Sequence, residues 1–238
     1  MNDRDRTYLQ TPEQWTRFLS ALAHELRTPI ASFRMLADLL AEAPADRLGD
    51  QERRYCENIL EVALDLQTLV GDVAELARLL AGRALIRLAE VSLEQLVAQT
   101  EEAVRPRAWE GGIALTDSLD PALPKLFRTD PDRLRQALVL LLGTAISHAR
   151  SEVFFRLDAG GGGLRIVISS DGALFPEASS QAPFEPFNES IRSSRSRGGR
   201  SLALPLASEL TRALGGTLRA ENRGERPTFE LSVPSASA

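Results

Sequence analysis

The chain has 238 residues, of which 43% are hydrophobic and 26% charged, the make-up of a soluble globular protein of one large or two small domains. A formal net charge of -5 argues against a nucleic-acid partner, which calls for a basic face. The lone Cys56 excludes an intramolecular disulfide, and its own reading is that of a small helix residue in a reducing compartment. The longest apolar run, Ala137 to Leu142, is too short to cross a bilayer, and residues 1–10 are polar and charged, unlike a signal peptide. A cytoplasmic protein without a membrane partner is expected.

Residues 1–10 read as disordered. Thr11 reads as a helix N-cap, with Pro12 at the first helical position and Gln14 closing a capping box. Helix one should run to about Ala43. Its apolar positions Trp15, Leu19, Leu22, Leu26, Pro29, Phe33, Leu36 and Leu40 alternate steps of four and three, the repeat of a helix in a bundle. At about 100° per residue, His24 lies roughly 200° around from Leu22, so its imidazole should point away from that seam. The competing reading, a satisfied core histidine, loses weight by this placement. Glu25 is adjacent and can favour the charged ring or accept a proton. Pro29 removes a backbone hydrogen bond and predicts a bend near His24.

Pro44 to Asp50 should connect to a second helix, Gln51 to Ala81. Its seam is Tyr55, Ile59, Val62, Leu66, Leu69, Val73, Leu76 and Leu80. Helices of about 30 residues are roughly 45 Å long, and a short loop makes them an antiparallel hairpin. One hairpin cannot cover both seams and the flanking Phe18, Leu39, Leu60 and Leu79. Pairing two hairpins into a four-helix bundle does, which predicts a homodimer. The alternative is cover by the second domain.

Gly82 should end helix two. Strands are expected at Ala84 to Leu88, Ile113 to Ser118, Glu152 to Leu157, Leu164 to Ser169, Thr217 to Ala220 and Thr228 to Val233. Helices are expected at Val91 to Trp109, capped by Ser92, at Asp130 to His148 and at Leu202 to Leu214. The fold class is therefore α+β: an N-terminal hairpin in a dimeric four-helix bundle, then an α/β sandwich.

The run His24-Glu25-Leu26-Arg27-Thr28-Pro29, within a long amphipathic helix, resembles the phosphoacceptor motif of two-component sensor histidine kinases. The resemblance extends from Gln10 to Val233. It implies a dimerisation and phosphotransfer hairpin over 11–82 and a domain over 83–238 of the kind shared by histidine kinases, gyrases and the heat-shock chaperone of ninety kilodaltons. It implies His24 as phosphoacceptor, with Glu25 and Thr28 as its catalytic neighbours. Kinases of this family usually carry a sensor domain upstream; none is read here, so input is expected from another protein or a ligand.

In the family, ATP and Mg²⁺ are held by four short elements. The helix after Asp130 keeps Asp130, Arg133, Leu134, Gln136 and Leu138, but the two asparagine positions fall on Leu140 and Thr144. Leucine has no ligand atom, and a threonine hydroxyl is a weak donor for Mg²⁺. The element D-x-G-x-G is Ser170-Asp171-Gly172-Ala173-Leu174 here; only Gly172 survives. Asp171 is one place off, so its side chain should face the other way. The phenylalanine element persists as Phe184-Glu185-Pro186-Phe187. The phosphate-cradling G-x-G-L-G is Arg200-Ser201-Leu202-Ala203-Leu204, and side chains at Ser201 and Ala203 obstruct close backbone approach. Arg195, Arg197 and Arg200 read as a solvated segment rather than an anion loop, and His148 as a packing residue.

The reading is a phosphorelay protein. His24 takes a phosphoryl group from, or gives it to, the aspartate of response-regulator receiver domains, with an upstream hybrid kinase as a possible donor and little or no autophosphorylation. No cofactor is expected. The alternatives are an active kinase with a divergent site, binding ATP and Mg²⁺, and a non-catalytic pseudokinase that binds a kinase or a receiver.

Overall fold

The computed structural model describes Leu26 and residues 28–40, 49–82, 84–160, 162–175, 184 and 202–235. Expectations for residues 1–10, Thr11, Pro12, Gln14, His24, Glu25, Ser201, and Arg195, Arg197 and Arg200 concern positions outside these.

Helix α1 covers 28–40, and α2 is Asp50–Leu80, entered through extended backbone at Gly49. Burial on α2 follows the predicted seam: Leu69 and Leu76 are closed, and Tyr55, Ile59, Val62, Leu66, Val73 and Leu80 are half-buried. On α1, Leu36 is buried and Phe33 is exposed.

The chain from 84 to 88 has no strand; strand β1 starts later, at Ala89–Ser92. It pairs antiparallel with β3, Leu126–Thr129, a strand that sequence patterning missed because only four residues pair. Ser92 then caps α3, Leu93–Gly111, accepting a hydrogen bond from the Gln95 amide at 3.4 Å. Gly112 closes α3 in the left-handed conformation at φ 64°. Helix α4 is Pro131–His148, with Asp130 accepting from the Arg133 amide at 3.1 Å. The other Asp130 oxygen accepts from the Arg87 amide at 2.7 Å, tying the connecting segment to the helix start.

A second sheet has the order β2-β4-β5-β7-β6: Ala114–Leu119, Glu152–Gly160, Gly163–Ser170, Arg226–Pro234 and Thr217–Arg223. Among the described strands, only β2 and β4 pair in parallel. The hairpin strands run further than the patterning predicts, because their final pairs lie at turns. Gly224, at φ 61°, lets β6 and β7 close through two residues. Strand β7 is bonded to β5 on one side and to β6 on the other.

Alternate residues of the central strands point inward. Val153, Phe155, Leu157, Leu164, Ile166, Ile168, Phe229, Leu231 and Val233 pack under α4, which supplies Leu134, Leu138, Leu141 and Leu142. Each such closure is worth roughly 1.5–3 kcal/mol of transfer free energy. The opposite face is polar and cross-linked by Arg165–Glu230 at 2.7 Å, Arg226–Glu152 and Arg223–Glu230. The whole is the expected α+β class, a helical hairpin followed by an ATPase-type sandwich.

The two parts meet in a second apolar cluster. Leu69, Leu76 and Leu79 of α2 close against Ala137 of α4 and against Leu202, Leu206 and Leu210, the last two on α5, Ala203–Ala213. Leu79 is thus covered by the second domain and leaves no apolar flank there for a bundle partner. Ile30, Phe33, Leu39, Leu60 and Leu64 remain exposed.

Candidate functional site

The motif end of the hairpin is seen at Leu26 and from Thr28 onward. Leu26, two residues past His24, is half-buried against the cluster that joins α2, α4 and α5. Thr28 is exposed, one helical turn before Ser32, whose hydroxyl donates to the Thr28 carbonyl at 3.2 Å. The described start of α1, at Leu26, therefore lies beside the domain that carries α4 and α5.

On α4, Arg133, Ala137, Leu140 and Thr144 follow steps of four, three and four, which stacks them on one face. Leu140 packs against both apolar clusters and so bridges the sheet core to the α2 seam. The Thr144 hydroxyl is already committed, donating to the Leu140 carbonyl at 2.8 Å. His148 Nδ1 stands 2.8 Å from the Thr144 carbonyl, in keeping with a packing role.

At the end of β5, Ser170 is 2% exposed. Its hydroxyl oxygen accepts from the Gly172 amide at 3.4 Å. Asp171 does turn the other way: its carboxylate accepts from the amides of Arg150, Ser151 and Glu152 and from the Ser151 hydroxyl. Burial opposes its ionisation, but these bonds outweigh it and hold the carboxyl well below the usual range. A methyl on Gly172 would sit 2.4 Å from the His148 carbonyl oxygen, so backbone packing alone demands glycine there. Phe184 is buried, its ring 6.5 Å from that of Phe229. Ala203 is 6% exposed and Leu202 is closed in the seam.

Among the described positions, Leu140 offers a magnesium ion no donor atom, Thr144 offers only a neutral hydroxyl oxygen, the Ser170 hydroxyl accepts from a local amide, and the side chains at 202 and 203 are packed. Among the described residues no group of three or more His, Cys, Asp or Glu gathers to hold a metal.

Patterning missed the polar core of the seam. Glu75, 9% exposed, accepts from Arg133 of α4 and from Arg78 at 2.8 Å. Asp72 lies one turn before Leu76, where burial raises its carboxyl to about 6. The signal was present: two acids sit on the apolar arc of α2, where solvated positions were available. On α5, burial also raises the Glu209 carboxyl, against the pull of Arg212.

A helical hairpin whose sequence carries the histidine motif is joined to an α/β sandwich, and comparison with known proteins matches both parts. The His Kinase A (phospho-acceptor) domain matches residues 14–82, and the family of histidine kinase-, DNA gyrase B- and HSP90-like ATPases matches residues 129–237. The circadian input-output histidine kinase CikA of Synechococcus elongatus is 31% identical over 91% of this chain and 29% of its own. The sensor histidine kinase MtrB of Mycobacterium tuberculosis is 32% identical over 92% of this chain and 39% of its own. The structure of histidine kinase AdeS from Acinetobacter baumannii superposes with a TM-score of 0.72 at 20% identity, covering 90% of this chain and 98% of that one. Full-length ShkA, in complex with AMPPNP, gives 0.68 at 30% identity, over 96% of this chain and 47% of that one. This chain belongs to the two-component histidine kinase family. It spans between a quarter and two fifths of the length of these curated relatives. Among the described residues no helix is long and apolar enough to cross a membrane.

Proposed function

We propose that this chain is a two-component phosphotransfer protein in which His24 exchanges a phosphoryl group with the aspartate of receiver domains, with little or no ATP-dependent autophosphorylation. The observation that carries this reading is the α4 face, where Leu140 bridges two apolar clusters and the Thr144 hydroxyl is bound within its helix. The hairpin, 11–82, would do the chemistry and 83–238 would support it. A homodimer fits the exposed Ile30, Phe33, Leu39, Leu60 and Leu64, and a cytoplasmic setting fits the receiver partners.

In the transfer, a neutral ring nitrogen of His24 attacks phosphorus and the acyl phosphate bond breaks. The electron pair of that bond leaves on the aspartate carboxylate. Glu25 orients the imidazole and holds its proton. The receiver supplies Mg²⁺, so this chain needs none. Thr28, exposed and four residues on from His24 in the sequence, would position water for receiver dephosphorylation. Incubation with labelled ATP and Mg²⁺ tests the reading: His24 stays unlabelled with ATP and is labelled by a receiver that itself carries a labelled phosphoryl group. Robust labelling by ATP alone would overturn it.

A second reading, an active kinase with a divergent pocket, is favoured by the AMPPNP complex of ShkA. Calorimetric titration with ATP separates the two, since micromolar binding belongs only to the second.

A further inference from the structure

Side chains at Leu218 and Ala220 of β6 point into the core, and position 222 continues that alternation. It carries an amide, Asn222, where an apolar residue would extend the core. Its Oδ1 accepts from the Phe175 amide at 3.0 Å, and its Nδ2 donates to the Phe175 carbonyl at 2.9 Å. A carboxamide has the acceptor and donor of a peptide group, so this two-point pairing imitates a neighbouring strand. Phe175 leaves β5, yet it is fastened to β6, and β7 lies between those two strands. The stretch from Asp171 to Phe175 therefore crosses over β7. Midway, the Phe175 ring stands 5.3 Å from that of Phe229 of β7, tilted by 52°, and Phe184 packs on the same ring. The near end is fastened too, since Asp171 accepts from the amides of Arg150, Ser151 and Glu152.

We propose that Asn222 is a positioning residue that buckles a built-in strap: the crossover Asp171–Phe175 is fastened at both ends and holds the Phe175 ring closed on Phe229 without a bound ligand. Residues 170–174 of this crossover stand at the D-x-G-x-G element, so the strap keeps that part of the domain in one shape by side chains alone. That no nucleotide shares the task rests on the function proposed above; the strap itself does not.

The test compares Asn222→Ala, Phe175→Ala and the double variant in the full chain. Asn222→Ala should speed hydrogen exchange at the Phe175 amide at least about tenfold, while β5 and β7 keep their protection, which separates an unbuckled strap from a folding defect. It should also raise the unfolding equilibrium constant roughly tenfold. In the Phe175→Ala background the same change should have less than half that effect, because the ring it positions is gone. Asn222→Asp keeps the acceptor and loses the donor, so its Phe175 amide should exchange at an intermediate rate, and this variant decides the matter if Asn222→Ala does not fold. Unchanged exchange at Phe175, or full additivity of the two alanine changes, overturns the strap. Saturating ATP and Mg²⁺ should leave Phe175 exchange in Asn222→Ala unchanged. Slowing by nucleotide overturns the claim that no ligand shares the task and counts against the proposed function, and the additivity result still decides the strap.

Discussion

The carboxylate of Asp171, at the end of β5, accepts hydrogen bonds from both the amide and the hydroxyl of Ser151, at 2.9 and 2.6 Å. The aspartate next to the family's purine-contacting position therefore serves the turn between α4 and β4. Asp171→Ala should cost about 1–3 kcal/mol, because three loop amides lose their acceptor. The sign with pH follows from a lowered carboxyl: the contribution is present above about pH 4 and is lost on further acidification. Urea denaturation of both proteins at pH 7 and pH 3 checks it, the difference narrowing at the lower pH.

Asp72 has the opposite sign. Burial raises its carboxyl to about 6. Stability is fully present while it is protonated, below about pH 4, and falls as pH rises through about 6. Asp72→Asn should remove that fall and stabilise the protein at pH 7 by on the order of 1–2 kcal/mol, after allowing for its partial exposure. Thermal melts from pH 4 to 8 should show a flatter profile in the variant.

Gly172→Ala sets a methyl 2.4 Å from the His148 carbonyl oxygen and 3.0 Å from its carbon. Backbone must shift, at a cost of about 1–3 kcal/mol. The loss of stability should appear in denaturant midpoints without nucleotide present.

Leu140→Asn restores the family's residue to the α4 face yet should not restore function. The amide enters an apolar bridge between two clusters and should destabilise by about 1–3 kcal/mol. Under the proposed function, calorimetry with ATP and Mg²⁺ should show no binding in the variant, since Ser170 and the packed Ala203 remain.

The helices and the sheet were legible because their burial is periodic. Steps of four and three marked α2 to within a residue at each end, and Ser92 and Asp130 announced their helices by their capping chemistry. Strand β3 was illegible because a four-residue pairing with β1 has too little alternation to stand out, and the run at 84–88 misled because it is apolar without being paired. The altered residues at 140, 144 and 170 could be read directly. Their new employment could not: that Leu140 joins two cores, or that Glu75 meets Arg133 across 58 positions of sequence, depends on how the domains dock. Local spacing is silent about such partners.

Strand β7 sits in the interior of its sheet although it is the last strand in chain order. During synthesis, β5 keeps a bare edge and β6 has no neighbour until residue 234 emerges from the ribosome. A nascent chain stopped short of it would leave a hole between two strands rather than a frayed margin. Trimming a few residues from β7 is thus a whole-domain lesion, and a tag placed within it would be tolerated far less than one beyond it.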